Sequence, residues 1–232
     1  GLVREGVIAV SMGTSDTVFG HMNQARVDDS GTGHVFGAPT GAFMGLTVFQ
    51  NGSLARERVR QSLGMSWGDF SRALADTPPT AGGVLLPWFE PEITPRVSAP
   101  GARRYAATDT GPMLARALIE AQQMSMALHS SWMGVRVHII HATGGASANR
   151  EILQVMADVF GAVVYQLPVG NSAALGAALD AFHGSATAEG TAMSWDQTVE
   201  GFVEPIAHSA LRPNPARHAL YRELIDVYAA CE

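Results

Sequence analysis

The chain has 232 residues, 47% of them hydrophobic and 16% charged, and a formal net charge of −6. That is enough apolar material for a sizeable core in one large domain or two small ones, and the acidic balance argues against nucleic acid or a membrane surface as partner. All 15 basic residues are Arg, which excludes a lysine Schiff base, a catalytic lysine and the phosphate loop that needs a lysine.

Residues 7–12 read as a strand. Gly13-Thr14-Ser15-Asp16 then turns and residues 17–20 resume an extended run, so residues 7–22 form a β-hairpin with a hydroxyl-rich tip. Backbone N–H groups and the Thr14 and Ser15 hydroxyls can cradle a phosphate without a lysine, although the same residue types also favour a plain turn. Residues 33–48 continue as short strands. Asn51-Gly52-Ser53 reads as a helix start, and the Arg-rich helix 54–63 carries Arg56, Arg58 and Arg60 on its polar side. Ser66 caps a second helix, residues 67–75, opened by Trp67. Residues 77–83 are a loop by composition, 84–87 a short strand stopped by proline, and 90–108 an irregular surface excursion.

A long helix follows over residues 112–133, with Thr110 as its cap and Pro112 in its first turn. Leu114, Ala117, Leu118, Ala121, Met124 and Leu128 form one apolar stripe, and Met113, Met124 and Met126 read as core packing. Residues 137–140 read as a buried strand. The turn Thr143-Gly144-Gly145-Ala146-Ser147-Ala148-Asn149 comes next, and then a helix over 151–160 with Gly161 as its stop. Paired glycines at a strand-to-helix turn let a ligand lie against bare backbone, and helix-start N–H groups favour anions. A nucleotide is the ligand class this suggests, although a bare Gly-Gly turn also serves as an ordinary tight turn. The turn lacks the G-x-G-x-x-G spacing of a dinucleotide fingerprint. Residues 163–165 form a second strand. Residues 171–182 form an alanine-rich helix that ends by Gly184 and is small enough to pack closely on the sheet; 185–197 is a surface connection. A terminal helix over 214–230 turns Leu220, Leu224, Val227 and Tyr228 inward.

Cys231 is the sole cysteine and can form no internal disulfide, so a reducing cytoplasm is the expected setting. No apolar run is long enough to span a bilayer, and no signal-peptide pattern opens the chain. His138 and His141 fall on opposite faces of a strand, which disfavours a shared metal. Glu90 and Glu92 lie on one side of an extended segment, but nothing else supports a glycosidase pair. No G-x-S-x-G elbow supports a serine hydrolase.

Residues 11–19, Ser-Met-Gly-Thr-Ser-Asp-Thr-Val-Phe, and residues 142–161 around the Gly-Gly turn resemble the FGGY family of carbohydrate kinases, above all its eukaryotic-type xylulose kinase branch. Residues 49–54, 66–71, 92–95, 116–120, 171–173 and 181–184 add to the resemblance, in order along nearly the whole chain. The element order alone supports only an α/β class. The resemblance implies a ribonuclease-H-like ATPase domain, the fold of actin, Hsp70 and sugar kinases, with a mixed sheet flanked by helices.

It also implies that residues 1–232 are the C-terminal, nucleotide-binding domain of a two-domain enzyme, the N-terminal sugar-binding domain being absent. The catalytic aspartate of the family lies in a Gly-Asp-Asn-type motif ahead of the hairpin, so no catalytic residue and no metal ligand is assigned here, and Asp16 is not that base. The resemblance places Gly13, Thr14 and Ser15 at the β- and γ-phosphates of ATP, and Gly144, Gly145 and Ala146 at the α-phosphate and ribose. It places Asn149 at the adenosine part, Trp67 beside the adenine, and Asn51, Gly52 and Ser53 along the border of the nucleotide. The implied reaction is transfer of the γ-phosphoryl group from ATP, with Mg2+, to D-xylulose, and a homodimer is a common state of the family. A kinase for glycerol, ribulose or gluconate, or a non-catalytic interaction module that keeps the fold, are the alternatives.

Overall fold

The computed structural model describes residues 2–105, 110–168 and 171–232. The first four strands are β1 (Val7–Met12), β2 (Asp16–Met22), β3 (His34–Gly37) and β4 (Phe43–Phe49), followed by α1 (Ser53–Ser62) and α2 (Trp67–Asp76). Then come β5 (Val84–Leu86), β6 (Arg103–Tyr105), α3 (Gly111–Ser130), β7 (Ile139–Thr143), α4 (Arg150–Phe160) and β8 (Val163–Gln166). The chain closes with α5 (Ser172–Ala188), α6 (Trp195–Val199) and α7 (Pro215–Cys231).

Six strands make one mixed sheet in the order β3-β4-β2-β1-β7-β8. The hairpin pairs β1 with β2 antiparallel, Met12 opposite Asp16, while β1, β7 and β8 run parallel. Period-two alternation sorts the side chains. Ile8, Val10, Met12, Ile140, Ala142 and Val164 are buried on one face, in one core with α3, α4 and α7. Val7, Ala9, Ser11, Ile139, His141 and Thr143 on the other face are only half-buried.

Helix α3 is the centre of the helical layer. It is buried from Ala115 to Met126 on every side rather than along one stripe, because α1, α2, α4 and α7 all pack against it. Its polar residues are therefore inside the protein, and Arg116, Glu120 and Gln122 are paired there. Arg116 donates to Glu120 at 2.7 Å, to the Leu74 carbonyl at 2.8 Å and to the Tyr221 hydroxyl at 2.7 Å. Burial pushes the Tyr221 phenol up, and the neighbouring Glu120 carboxylate adds to that.

Several expectations need correction. Arg56 is not on the polar side of α1: it is 1% exposed, because Asp16 and Gln122 supply partners inside. Strand β7 begins at Ile139 and runs to Thr143, since its register with β1 starts at Val7↔Ile139. The long helix ends at Ser130, and a single 3-10 turn, Ser131–Met133, completes it; Thr110 stands at its cap position without a side-chain bond. Residues 90–105 are not all surface excursion: β6 pairs with β5, and Glu92 and Thr94 are buried. Residues 106–108 lie outside the described residues. Helix α5 runs through Gly184 to Ala188, a single helical glycine being tolerable, and only Leu179 on it is buried. It does not lie on the sheet but packs with α6, where His183 stacks on Trp195 at 4.0 Å. On α7 the buried residues are Tyr221 and Tyr228, whereas Leu220 and Val227 are exposed; the Tyr221 bonds to Arg116 and Glu120 set that rotation.

Candidate functional site

The site forms where two parallel strands end. Ser11 pairs with Thr143 across β1 and β7, so the hairpin tip and the Gly-Gly turn leave the sheet side by side. Gly144 has φ +87°, and a Cβ there would stand 2.5 Å from the Met12 carbonyl oxygen. Only glycine fits a backbone in that region so close to its neighbour. The Ser147 hydroxyl donates to the Gly144 carbonyl at 2.7 Å and closes a short 3-10 turn, Gly145–Ala148. Gly145 is different: no atom lies within 4 Å of where its Cβ would be. Its backbone faces open space, as a ligand that rests on bare peptide requires.

Asn149 then caps α4. Its Oδ1 accepts from the amides of Glu151 and Ile152 at 3.0 and 3.3 Å, and its Nδ2 donates to the Ser71 hydroxyl at 2.8 Å. Ser71 in turn donates to the Trp67 carbonyl at 3.0 Å. This chain of bonds ties the start of α4 to the start of α2. The reason α2 begins there is local: Ser66 and Asp69 form a reciprocal capping box. Hydrogen bonds from Ser66 and the Arg72 guanidinium hold the Asp69 carboxyl down to about 2. Trp67 is 48% exposed, with the Arg60 guanidinium 5.2 Å from its ring centre and Phe70 edge-on at 5.6 Å. Arg60 lies over one face of the indole, and about half of the Trp67 surface is exposed.

The hairpin tip is held from beneath. The Ser53 amide donates to the Gly13 carbonyl at 2.9 Å, and a Cβ on Gly52 would stand 2.7 Å from the Thr14 carbonyl oxygen. Thr14 is exposed and Ser15 half-buried, and no side-chain hydrogen bond ties either hydroxyl among the described residues. Behind the tip runs a buried polar network. Asp16 and Arg56 form a bidentate pair at 2.7 and 2.9 Å. Arg56 also donates to Gln122 at 2.9 Å, and Gln122 donates to the carbonyls of Asn51 and Gly52 at 2.7 and 3.1 Å. Glu92 accepts from the amides of Gln50, Asn51 and Ile93 and from the Asn51 side chain at 2.8 Å. Burial pushes the Asp16 carboxyl above its usual range while the Arg56 guanidinium pulls it back.

The structure thus brings Gly13, Thr14, Ser15, Gly52, Ser53, Gly144, Gly145 and Ala146 to one end of the sheet. Asn149 and Trp67 are joined to each other through Ser71. Asn51 belongs to the segment but turns its side chain into the network, donating to the Glu90 carbonyl at 3.0 Å and accepting from its amide at 2.9 Å. Arg56, Gln122 and Glu92 are the residues that sequence reasoning misses. One clue exists: Arg56 follows Ser53 by three residues, and Arg56 donates to that hydroxyl at 3.1 Å. Glu90 and Glu92 do not form a pair, for Glu90 is exposed beside Arg58 and Glu92 is buried.

Two cavities lie away from this end. One of about 390 Å³ sits at the opposite end of the strands beside Ile8, Met133, Phe160 and His218. Another of about 460 Å³ lies between Val7, Ile139 and His141 on the half-buried sheet face and the segment from Asp196 to Pro205. Neither holds a predicted site residue. Among the described residues no group of His, Cys, Asp or Glu is placed to hold a metal ion, and no helix is long and apolar enough to cross a membrane.

Known proteins resemble this chain in sequence and fold. Xylulose kinase of Rattus norvegicus is 40% identical over 243 residues, which takes in 99% of this chain and 44% of that protein. The chain therefore spans less than half the length of that relative. A ligand-bound xylulose kinase from Lactobacillus acidophilus superposes with a TM-score of 0.84 at 21% identity, over 98% of this chain and 47% of that one. A Plasmodium falciparum glycerol kinase with ADP superposes with a TM-score of 0.77 at 17% identity, over 99% and 47% of the two chains. These likenesses show the fold, a mixed sheet with flanking helices shared with sugar kinases of the actin and Hsp70 type. The model of the C-terminal domain of the FGGY family of carbohydrate kinases matches residues 8–185, and the chain belongs to that family.

Proposed function

We propose that this chain is the nucleotide-binding half of an ATP-dependent carbohydrate kinase that converts D-xylulose to D-xylulose 5-phosphate. The observation that carries the reading is the pair of turns at the ends of β1 and β7: one presents the open backbone at Gly145, the other the untied hydroxyls of Thr14 and Ser15. Backbone N–H groups and hydroxyls suit phosphate oxygens where lysine is absent. The sugar follows from the xylulose kinase of 40% identity.

On this reading Thr14 and Ser15 hold the β- and γ-phosphates, and Gly144, Gly145 and Ala146 border the α-phosphate and ribose. Asn149 lies toward the adenosine, and Trp67 packs on the adenine. When bound, ATP supplies the transferred phosphoryl group and Mg2+ offsets its charge. Asp16 is tied to Arg56 and is not the base on this reading. The base, most sugar contacts and the carboxylates for Mg2+ come from a second, sugar-binding domain outside this chain. The reading also places the enzyme in the cytoplasm and allows a homodimer.

Calorimetry of ATP and ADP with Mg2+, on the chain and on its Gly145→Val and Asn149→Ala variants, tests the reading. Binding that both variants weaken is the expected result. No binding at millimolar nucleotide by the unaltered chain would overturn it. The chain alone is expected to release no ADP in the presence of D-xylulose; xylulose-dependent ADP release would sink the assignment of the base to another domain.

A further inference from the structure

The network behind the hairpin lies beneath the tip and joins the segment that carries Thr14 and Ser15 at two points, the Asp16 carboxylate and the Gly13 carbonyl that accepts from the Ser53 amide. Asp16 is the residue next to Ser15 and opens β2. Its two carboxylate oxygens take both Nη atoms of Arg56, which fixes the angle as well as the distance of the pair. Arg56 sits on α1, and Gln122 on α3 bridges it to the carbonyls of Asn51 and Gly52. Glu92 grips the same segment from the far side through neutral N–H donors. The Ser53 amide then reaches the Gly13 carbonyl. The tip is thus clamped between its own following residue and the start of α1, and both anchors run to the encased helix α3. Among the described residues no hydrogen bond of this network reaches Gly144, Gly145 or Ala146.

The geometry points to Asp16, Arg56 and Gln122 as positioning residues that set the hairpin tip for the outer phosphates of the nucleotide without touching it. This rests on the nucleotide reading above and adds a specific consequence. Loosening the clamp must weaken ligands that carry β- and γ-phosphates and spare those that end at the α-phosphate, because the Gly144–Ala146 turn meets the hairpin at Met12, ahead of the clamped tip, and has its own Ser147 bond and Asn149 cap.

The test compares ATP and AMP binding by the chain and by its Arg56→Lys and Gln122→Met variants, with thermal unfolding alongside. Lysine keeps the charge and loses the planar fork. Gln122→Met removes three hydrogen bonds but leaves the Asp16–Arg56 ion pair intact, so it reports even where Arg56→Lys does not fold. The expected result is a loss of ATP affinity of about tenfold with AMP changed by less than about twofold. A purely structural role would lower both affinities together, or shift unfolding and neither affinity, and either outcome overturns the inference. The two readings fail differently: an unaltered chain that binds no nucleotide sinks the function proposed above, whereas variants that keep the unaltered chain's preference for ATP over AMP sink the positioning role alone.

Discussion

The two turns of the candidate site stand side by side and are held by different physics. The Gly144 turn is set by local fit: a positive φ, a contact with Met12 that no side chain permits, one hydroxyl bond from Ser147 and the Asn149 cap. The hairpin tip is set from a distance, by an ion pair and amide links reaching from Asp16 to Gln122 and Glu92. Local fit makes a turn that tolerates little change in its own residues and much around it. A distant clamp does the reverse, leaving the hydroxyls of Thr14 and Ser15 untied while resting the tip on buried residues behind it.

The contrast can be broken by substitution. Arg56→Met leaves the Asp16 carboxylate buried and unpaired, and unfolding in urea is expected to register a loss of about 3–5 kcal/mol. A loss under about 1 kcal/mol would mean that the clamp is not rigid. Gly144→Val combines a disfavoured φ with a clash on Met12 and is expected to cost about 3 kcal/mol in the same measurement.

Asp28, in the loop between β2 and β3, is a control outside both turns. Burial raises its carboxyl, but hydrogen bonds from Ser30, Gly33 and Thr32 outweigh that and lower it from 3.8 to about 2. Since the folded value is the lower one, its stabilisation is full above pH 3.8 and is lost as pH falls toward about 2. After allowance for solvent screening it is worth at most about 1 kcal/mol. Asp28→Asn should remove that part of the acid sensitivity, read as unfolding midpoints between pH 5 and about 2, and leave nucleotide binding unchanged. Gly145→Val is the smallest change in stability, under about 0.5 kcal/mol because its surroundings are empty. A large loss of stability there would show that Gly145, like Gly144, serves the fold rather than a ligand.

The same contrast explains what could be read without coordinates. The positive φ at Gly144, the Asn149 cap and the Gly161 stop each involve only nearby backbone, so they are visible as residue types in a row, although the contacts of Gly144 with Met12 and of Asn149 with Ser71 are not. The capping box of Ser66 and Asp69 is legible for the same reason. Arg56 is not, since its partner lies 40 positions earlier and a charged residue on a helix is ordinarily solvated. Glu92 is visible only as a carboxylate, with nothing in its neighbours to say that amides 41 and 42 residues away surround it. On α7 Tyr228 and Leu224 face inward as expected, but Leu220 and Val227 do not, because the fold buries Tyr221 to reach Arg116. The alternating strand β1 needs only one buried face and so declares itself, whereas the apolar run at 137–140 overlaps β7 only at Ile139 and Ile140.

Two helices of similar length meet opposite fates here: α3, of 20 residues, is encased, and α5, of 17 residues, buries only Leu179. Their backbone hydrogen bonds are alike, so what separates them is how much of the protein must come apart before water reaches an amide. On α3 that is the whole core, and its amide protons exchange with deuterium only as the molecule unfolds globally. On α5 local fraying suffices. An exchange experiment would therefore see α3 as the last element to take up deuterium and α5 among the first, and the clamp behind the hairpin, anchored on α3 through Gln122, would share the slow clock.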